Sequence, residues 1–179
     1  MSYFEEIRKA MKLLAEDDRT LFVGQSVCYP GHALYKTLQD EDGKFLVLME
    51  QRIEMPVIED FQMGCCTGLA LMGYIPVCIF PRMDFLLLAA NQLVTHLDKI
   101  PLQSDFRPKV IIRTAVGATI PLNSGWQHTS NHTKAFREML RTVRVAELTD
   151  AGQIVSTYRR ALVDEYSYLI VEHQNLYNS

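Results

Sequence analysis

Hydrophobic residues along the chain alternate between helical and strand-like spacing. Between Phe4 and Ala15 they recur at helical intervals, and a short apolar run over residues 20–24 follows directly. Later apolar runs have the length of strands, and most contain β-branched residues, which predicts further strands. These runs cover residues 45–48, 76–80, 110–113, 143–146 and 168–172.

Helical patterns lie between these runs, and they predict helices over residues 58–73, 84–99, 131–141 and 149–163. Thr149 and Asp150 are placed to cap the start of the last one. Runs that are apolar on both faces and alternate with helices indicate a mostly parallel sheet covered on both sides. The expected fold is therefore a three-layer α/β/α domain with a doubly wound sheet, formed as one domain by residues 1–179.

Composition narrows the functional classes. The chain has 179 residues and a formal net charge of -3, so general electrostatic attraction to nucleic acid or to an anionic membrane is not expected. No window has the apolar length of a membrane span, and the first residues lack the pattern of a secretory signal. We therefore expect a cytoplasmic protein.

The four cysteines lack metal-site spacing and are expected to be reduced thiols, most of them buried.

Candidate chemistry falls at the expected carboxyl edge of the sheet, where ligands of such folds bind. Gln25 follows the first strand, Glu59 opens a helix, Phe80 to Phe85 follow a third strand, and Gln127 and His128 follow another. Irregular segments at 28–43, 102–109 and 116–132 are long enough to be functional loops.

Several motifs, in this order and spacing, resemble the pyrimidine-binding domain of thiamine-diphosphate enzymes. They are Met55-Pro56-Val57-Ile58-Glu59 before a glycine-rich helix, the aromatic-rich segment Phe80 to Gln92, Gln127-His128-Thr129, and the segment Tyr168 to Tyr177. The likeness is strongest to the β subunit of the 2-oxoacid (pyruvate) dehydrogenase first component and weaker to the central domain of transketolase. It extends over almost the whole chain.

The resemblance implies roles for individual residues. Glu59 would hydrogen-bond the aminopyrimidine ring of thiamine diphosphate and assist its deprotonation. Phe85, with Phe80 and Pro81 behind it, would hold that ring, and His128 would meet the substrate carboxylate or a developing oxyanion. Each residue also has a simpler interpretation, because a glutamate at a helix start is often exposed and phenylalanines often serve only in core packing.

Substrate contacts are implied more weakly for His32, Gln127 and Arg82. His32 falls in a loop that lies near the active-site entrance in the family, and Arg82 could place a cation beside the substrate. A structural role for His32 and an exposed position for Arg82 are the simpler alternatives. Gln25 stands where the family usually has an acid, so a proton relay between paired sites is not expected here.

The sequence lacks the Gly-Asp-Gly segment that holds the diphosphate through a metal in this family. The resemblance therefore implies a diphosphate-binding, α-like partner subunit that supplies Mg2+, and the C-terminal transketolase domain is expected to be absent. Strongly apolar helices at 63–72 and 86–93 indicate a homodimer at the centre of an α2β2 assembly. The expected function is the pyrimidine-binding subunit of a split enzyme acting on a 2-oxo acid or a ketose.

Two other interpretations remain open at the level of sequence. The chain could be a non-catalytic structural or regulatory partner of such an enzyme, although Glu59 and His128 are both present. It could also be a different enzyme on a doubly wound fold, although neither a glycine-rich phosphate loop nor a Gly-x-Ser-x-Gly elbow occurs.

Overall fold

A computed structural model describes residues 2–117 and 123–178 of the chain. Its strands are β1 (Thr20–Gly24), β2 (Arg52–Glu54), β3 (Ile75–Phe80), β4 (Ile111–Val116), β5 (Arg144–Leu148) and β6 (Tyr168–His173). They form one six-stranded sheet in the order β2-β1-β3-β4-β6-β5. Every neighbouring pair is parallel, which confirms the predicted α/β fold.

Helices cover both faces of this sheet. They are α1 (Tyr3–Ala15), α2 (Ala33–Lys36), α3 (Glu59–Leu71), α4 (Met83–Leu86), α5 (Ile100–Gln103), α6 (Thr133–Met139) and α7 (Ile154–Val163). Helices α1 and α7 pack on one face, and α3 packs on the other with the segment that follows β3. Asp150 caps the 3-10 turn Ala151–Gln153 that leads into α7, because its carboxylate accepts a hydrogen bond from the Gly152 N–H.

The predicted strand over residues 45–48 is wrong. Only Phe45 pairs there, in an isolated antiparallel bridge with Gln39. The Phe45 ring instead lies 5.6 Å from the Tyr35 ring and stacks under the Arg52 guanidinium. Val47 and Phe45 pack against the core from a loop, whereas Leu48 is exposed. The edge strand β2 follows with only one apolar residue of its three.

The single helix predicted over residues 84–99 is divided into three. Helix α4 leads into a 3-10 turn at Leu87–Ala89 and then into a π-helix at Asn91–Leu97. Leu86, Leu93 and Leu97 are all buried in one core cluster. Their spacing suits an α-helix as well as a wider π-turn, so the hydrophobic pattern alone does not reveal the break.

A buried ion pair joins the neighbouring strands β4 and β6. The Arg113 guanidinium donates to both carboxylate oxygens of Glu172, at 2.5 and 2.9 Å, and neither side chain is exposed. Burial opposes the charge of Arg113, but the Glu172 carboxylate outweighs it and raises the pKa of the guanidinium. The hydroxyls of Tyr158 and Tyr177 also donate to Glu172, so helix α7 and the segment after β6 are tied to the same carboxylate.

A second buried carboxylate, Asp98, anchors the connection to β5. It accepts hydrogen bonds from three successive backbone N–H groups, those of Arg141, Thr142 and Val143, at 2.8 to 3.0 Å. The Lys99 ammonium lies 2.6 Å away. Burial alone would raise the pKa of Asp98, but these hydrogen bonds outweigh it and lower the pKa below its ordinary value.

The Arg113→Met variant should lose about 3–5 kcal/mol of unfolding free energy, because it leaves the Glu172 charge buried without its partner. Arg137→Met is the matched control. Arg137 is exposed and lies 3.3 Å from Glu147, so its loss should cost less than about 1 kcal/mol. Urea unfolding followed by circular dichroism measures both, and equal losses would contradict a dominant role for the buried pair.

Asp98→Asn should destabilise the protein by roughly 1–3 kcal/mol at neutral pH. Because the pKa of Asp98 is lowered on folding, its contribution is present above the unfolded value of about 3.9 and is lost as pH falls through the folded value. The stability difference between wild type and Asp98→Asn should therefore shrink below about pH 4. Urea unfolding at several pH values checks this, and a difference that stays constant down to the lowest pH would refute it.

Candidate functional site

The site lies where the strand order turns back on itself. Strand β1 is flanked by β2 on one side and β3 on the other, so the connections after β1 and β3 leave in different directions. Such a switch point opens a crevice at the carboxyl ends of the strands. Gln25 follows β1, Pro81 and Arg82 follow β3, and Glu59 begins the helix that connects β2 to β3.

Glu59 is the first residue of α3 and is only 6% exposed, so it is not the solvent-facing helix-start glutamate of the simpler interpretation. Its Oε1 accepts a hydrogen bond of 3.2 Å from the side-chain amide of Gln25. The helix N-terminus favours a negative charge at this position. Val57, Ile58 and Phe61 around it are exposed, so a buried carboxyl group lies beneath an apolar surface.

The turn after β1 is held by another carboxylate. Glu54, at the end of β2, accepts hydrogen bonds from the N–H groups of Ser26, Val27 and Cys28 at 2.5, 2.9 and 2.8 Å. Successive N–H groups that converge on one carboxylate form a stable anion nest. This contact fixes the backbone that carries Gln25 toward Glu59.

His32 contacts the same turn. Its Nε2 lies 2.8 Å from the Gln25 carbonyl oxygen, and since a carbonyl can only accept, Nε2 carries the proton and donates. Burial lowers the pKa of His32, so the ring is neutral near pH 7. Its Nδ1 is buried without a hydrogen-bond partner among the described residues. A substrate contact for His32 stays a prediction, and its contact in this structure is with the backbone of Gln25.

The segment after β3 supplies three of the predicted residues. Phe80 is fully buried in the core cluster next to α3, and Pro81 is buried beside it. Arg82 is half-buried rather than exposed, and its guanidinium donates to the His128 carbonyl oxygen at 3.0 Å. Burial lowers the pKa of Arg82. Arg82 thus joins the end of β3 to the turn that carries His128.

His128 lies in a 3-10 turn formed by Trp126–His128. Its ring meets the Phe85 ring edge to face, with centroids 5.5 Å apart and an angle of 90° between the planes. Both rings are half-buried, whereas Gln127 is exposed and Trp126 is 94% exposed. The predicted loop over residues 116–132 includes 118–122, which lie outside the described residues. The structure brings together Phe85, His128 and Arg82 as one group and Glu59 with Gln25 as another.

Sequence reasoning missed two sets of residues that support the site. Arg113 and Glu172 are charges inside otherwise apolar strands, so their burial could have been expected from the pattern itself. Glu54 offers no such signal, because its partners lie 26 to 28 positions earlier in the chain. Its role depends on the pairing of β1 with β2, which the sequence does not reveal.

Within residues 2–117 and 123–178, no three His, Cys, Asp or Glu side chains converge as a possible metal site. The cysteines described there are free thiols, with Cys66 and Cys78 buried and Cys28 and Cys65 half-buried. No helix in the described part of the chain has the length and apolar character needed to cross a membrane.

No family model matches the chain. The pyruvate dehydrogenase E1 component subunit beta of Gracilaria tenuistipitata var. liui is 26% identical over an alignment of 178 positions that covers 98% of this chain and 53% of that protein. The 2-oxoisovalerate dehydrogenase subunit beta of Bacillus subtilis (strain 168) is 27% identical over an alignment of 183 positions that covers 99% of this chain and 53% of that protein. The chain is thus similar in sequence, over nearly its whole length, to 2-oxoacid dehydrogenase β subunits.

This sequence similarity confirms the resemblance to the 2-oxoacid dehydrogenase β subunit that the motifs predicted. The chain spans about half the length of the curated relatives it matches. Among solved structures, a split gene transketolase described as an inactive β4 tetramer has the same fold, with a TM-score of 0.71 at 19% identity. The match covers 97% of this chain and 52% of that one.

Proposed function

We propose that the chain is the β-like, pyrimidine-binding subunit of a split thiamine-diphosphate-dependent enzyme that acts on a 2-oxo acid or a ketose. The observation that carries this proposal is the buried carboxyl group of Glu59, which is hydrogen-bonded by Gln25 at the switch point of the sheet. Sequence similarity to 2-oxoacid dehydrogenase β subunits over nearly the whole chain supports it.

The residues present fit the pyrimidine half of the cofactor. A buried carboxyl group beside an apolar surface is suited to hydrogen-bond a neutral ring nitrogen, and Glu59 would fill this role. Phe85 would offer a half-buried aromatic ring, with Pro81 and the fully buried Phe80 behind it. When bound, thiamine diphosphate supplies the carbanion chemistry, and the protein tunes it. Glu59 would hold and return a proton at the ring nitrogen.

The group formed by His128 and Arg82 would serve the substrate. The His128 imidazole can accept or donate a proton in catalysis, and the edge-to-face contact with the Phe85 ring would fix its orientation. Arg82 places a positive charge close to His128, where it would attract a substrate carboxylate. Gln127 is exposed beside them, and His32 would act from the turn after β1.

Residues 1–179 contain no Gly-Asp-Gly segment, and by analogy with the β subunits that the chain resembles we propose that an α-like partner supplies the diphosphate half. This α-like partner would bind the diphosphate through Mg2+.

Exposed apolar residues beside Glu59 form a surface suited to a partner. We name it the α3 patch, and it consists of Val57, Ile58, Phe61, Leu87 and Leu88. Helix α3 packs against the turn that carries Leu87 and Leu88, which makes the two parts of the patch neighbours.

The expected assembly is an α2β2 heterotetramer with β-like chains paired at its centre. The split gene transketolase of the same fold is described as an inactive tetramer of β chains. This description agrees with a β chain that assembles with itself yet needs a partner for activity.

The isolated chain should bind thiamine diphosphate and Mg2+ weakly or not at all, because it supplies only the pyrimidine contacts. Isothermal calorimetry of the purified chain measures this binding.

In the complex with its partner, Glu59→Gln should lower activity by roughly 10²-fold or more, since the amide cannot exchange the proton. Steady-state kinetics measures this loss. Asp60→Asn is the matched control, because Asp60 is the exposed neighbour of Glu59 on α3 and should tolerate the same change.

Two results would count against this proposal. Micromolar, magnesium-dependent binding of the cofactor by the isolated chain would exclude the half-site assignment. Wild-type activity of a Glu59→Gln complex would exclude the catalytic role of Glu59 and favour a non-catalytic partner of such an enzyme.

Charge introduced into the α3 patch should disrupt assembly. Phe61→Glu and Leu88→Glu should shift the protein toward monomer and prevent capture of the α-like partner, because a buried unpaired charge is costly at an interface. Val163→Glu is the control, since Val163 is also an exposed apolar residue but lies at the end of α7 on the other face of the sheet. Light scattering decides the matter, and a wild-type protein that stays monomeric at every concentration, with and without its partner, would contradict the assembly.

A further inference from the structure

The turn after β1 is more constrained than a connection between two strands requires. Ser26 has a φ of 55°, and it is the one non-glycine residue with positive φ in the described part of the chain. Such a conformation is unfavourable for a non-glycine residue and persists only where its surroundings impose it. Backbone strain of this kind is found most often at active sites and ligand-binding segments.

Three contacts hold this turn in place. Glu54 accepts hydrogen bonds from the N–H groups of Ser26 and the two residues that follow it. His32 donates to the carbonyl oxygen of Gln25 from the other side. Gly31 leaves no space for a side chain, since a Cβ there would lie 2.2 Å from the Ser26 hydroxyl oxygen. These contacts offset the strain at Ser26 and fix the backbone on both sides of the Gln25 side chain.

The fixed turn delivers one functional group to the crevice, which is the amide of Gln25 at 3.2 Å from Oε1 of Glu59. We propose that Gln25 is a positioning residue for Glu59, held by the strained turn so that its amide fixes the orientation of the carboxyl group. The inference concerns two side chains of this chain, and only its catalytic consequence rests on the proposed function.

The chemistry of an amide makes the proposal testable. The Gln25 amide donates a hydrogen bond but does not ionise, so it holds the Glu59 carboxyl group without competing for its proton. Removing the amide should leave Oε1 of Glu59 without this donor and the carboxyl group free to change its orientation.

Other ionisable groups lie on the elements around Glu59, and they are the same in every variant compared. They are Asp60 on α3, Glu54 at the end of β2, His32 after the turn, Arg82 after β3, and the thiols of Cys65, Cys66 and Cys78. Differences between variants therefore report the side chain at position 25.

The experiment is a 13C NMR measurement of the glutamate carboxyl carbons at neutral pH in the full chain without cofactor, with the Glu59 signal assigned by its loss in Glu59→Gln. Gln25→Met should shift the Glu59 carboxyl signal, because it removes the hydrogen bond that the Gln25 amide donates. The matched control is Gln92→Met, because the Gln92 amide donates to the neighbouring carboxylate of Asp60 at 3.4 Å. That control should leave the Glu59 signal unchanged.

An unchanged Glu59 carboxyl signal in Gln25→Met, with the remaining signals as in wild type, would overturn the proposal. If Gln25→Met does not fold, Gln25→Asn decides it, since it keeps the amide but is one methylene too short to reach Glu59 from the fixed turn. In the complex with the partner, Gln25→Met should lower kcat by roughly 10-fold with little change in KM. A shifted Glu59 signal in Gln25→Met together with an inactive wild-type complex would refute the proposed function and leave the positioning role intact.

Discussion

An all-parallel sheet brings the carboxyl ends of its strands to one edge, and the site of this protein depends on that constraint. Gln25, Glu59 and Arg82 are distant in the chain, yet each lies at the end of a strand or at the start of the following helix. The reversal of strand order beside β1 separates the connections and leaves the crevice in which Glu59 is buried. The position of the site follows from topology, before any particular side chain is considered.

Carboxylates fix the connections of the sheet by one recurring mechanism. Glu54 and Asp98 each accept hydrogen bonds from three successive backbone N–H groups, and each converts an irregular segment into a fixed one. Glu172 does the same with side chains, since it accepts from Arg113 and from two tyrosine hydroxyls. Asp98 and Glu172 are buried, so either charge would cost several kcal/mol if it were unpaired, and the pairing specifies the arrangement of the chain around it.

The fold could be predicted from the sequence because five of its six strands, all except β2, coincide with short apolar runs. Strand β2 gave no signal, since it is a short edge strand with polar residues, whereas residues 45–48 are apolar but pack as a loop. The residues of the site were placed at the correct edge of the sheet. Their contacts could not be predicted, because the bonds from Gln25 to Glu59 and from Arg82 to His128 span 34 and 46 positions and depend on the conformation of turns.

The state of Glu59 in the single chain bears on how a divided site would be assembled. Its carboxyl group is already buried and hydrogen-bonded without a partner, although the neighbouring Val57, Ile58 and Phe61 are exposed. A partner that covers these apolar residues would therefore gain hydrophobic contact area without having to desolvate the carboxyl group in the same step. Glu59 already loses its hydrating water when the chain folds. Association with a partner would therefore gain the full apolar area of the α3 patch. Folding and assembly are separable steps on this surface, and the geometry around Glu59 is set by the first of them.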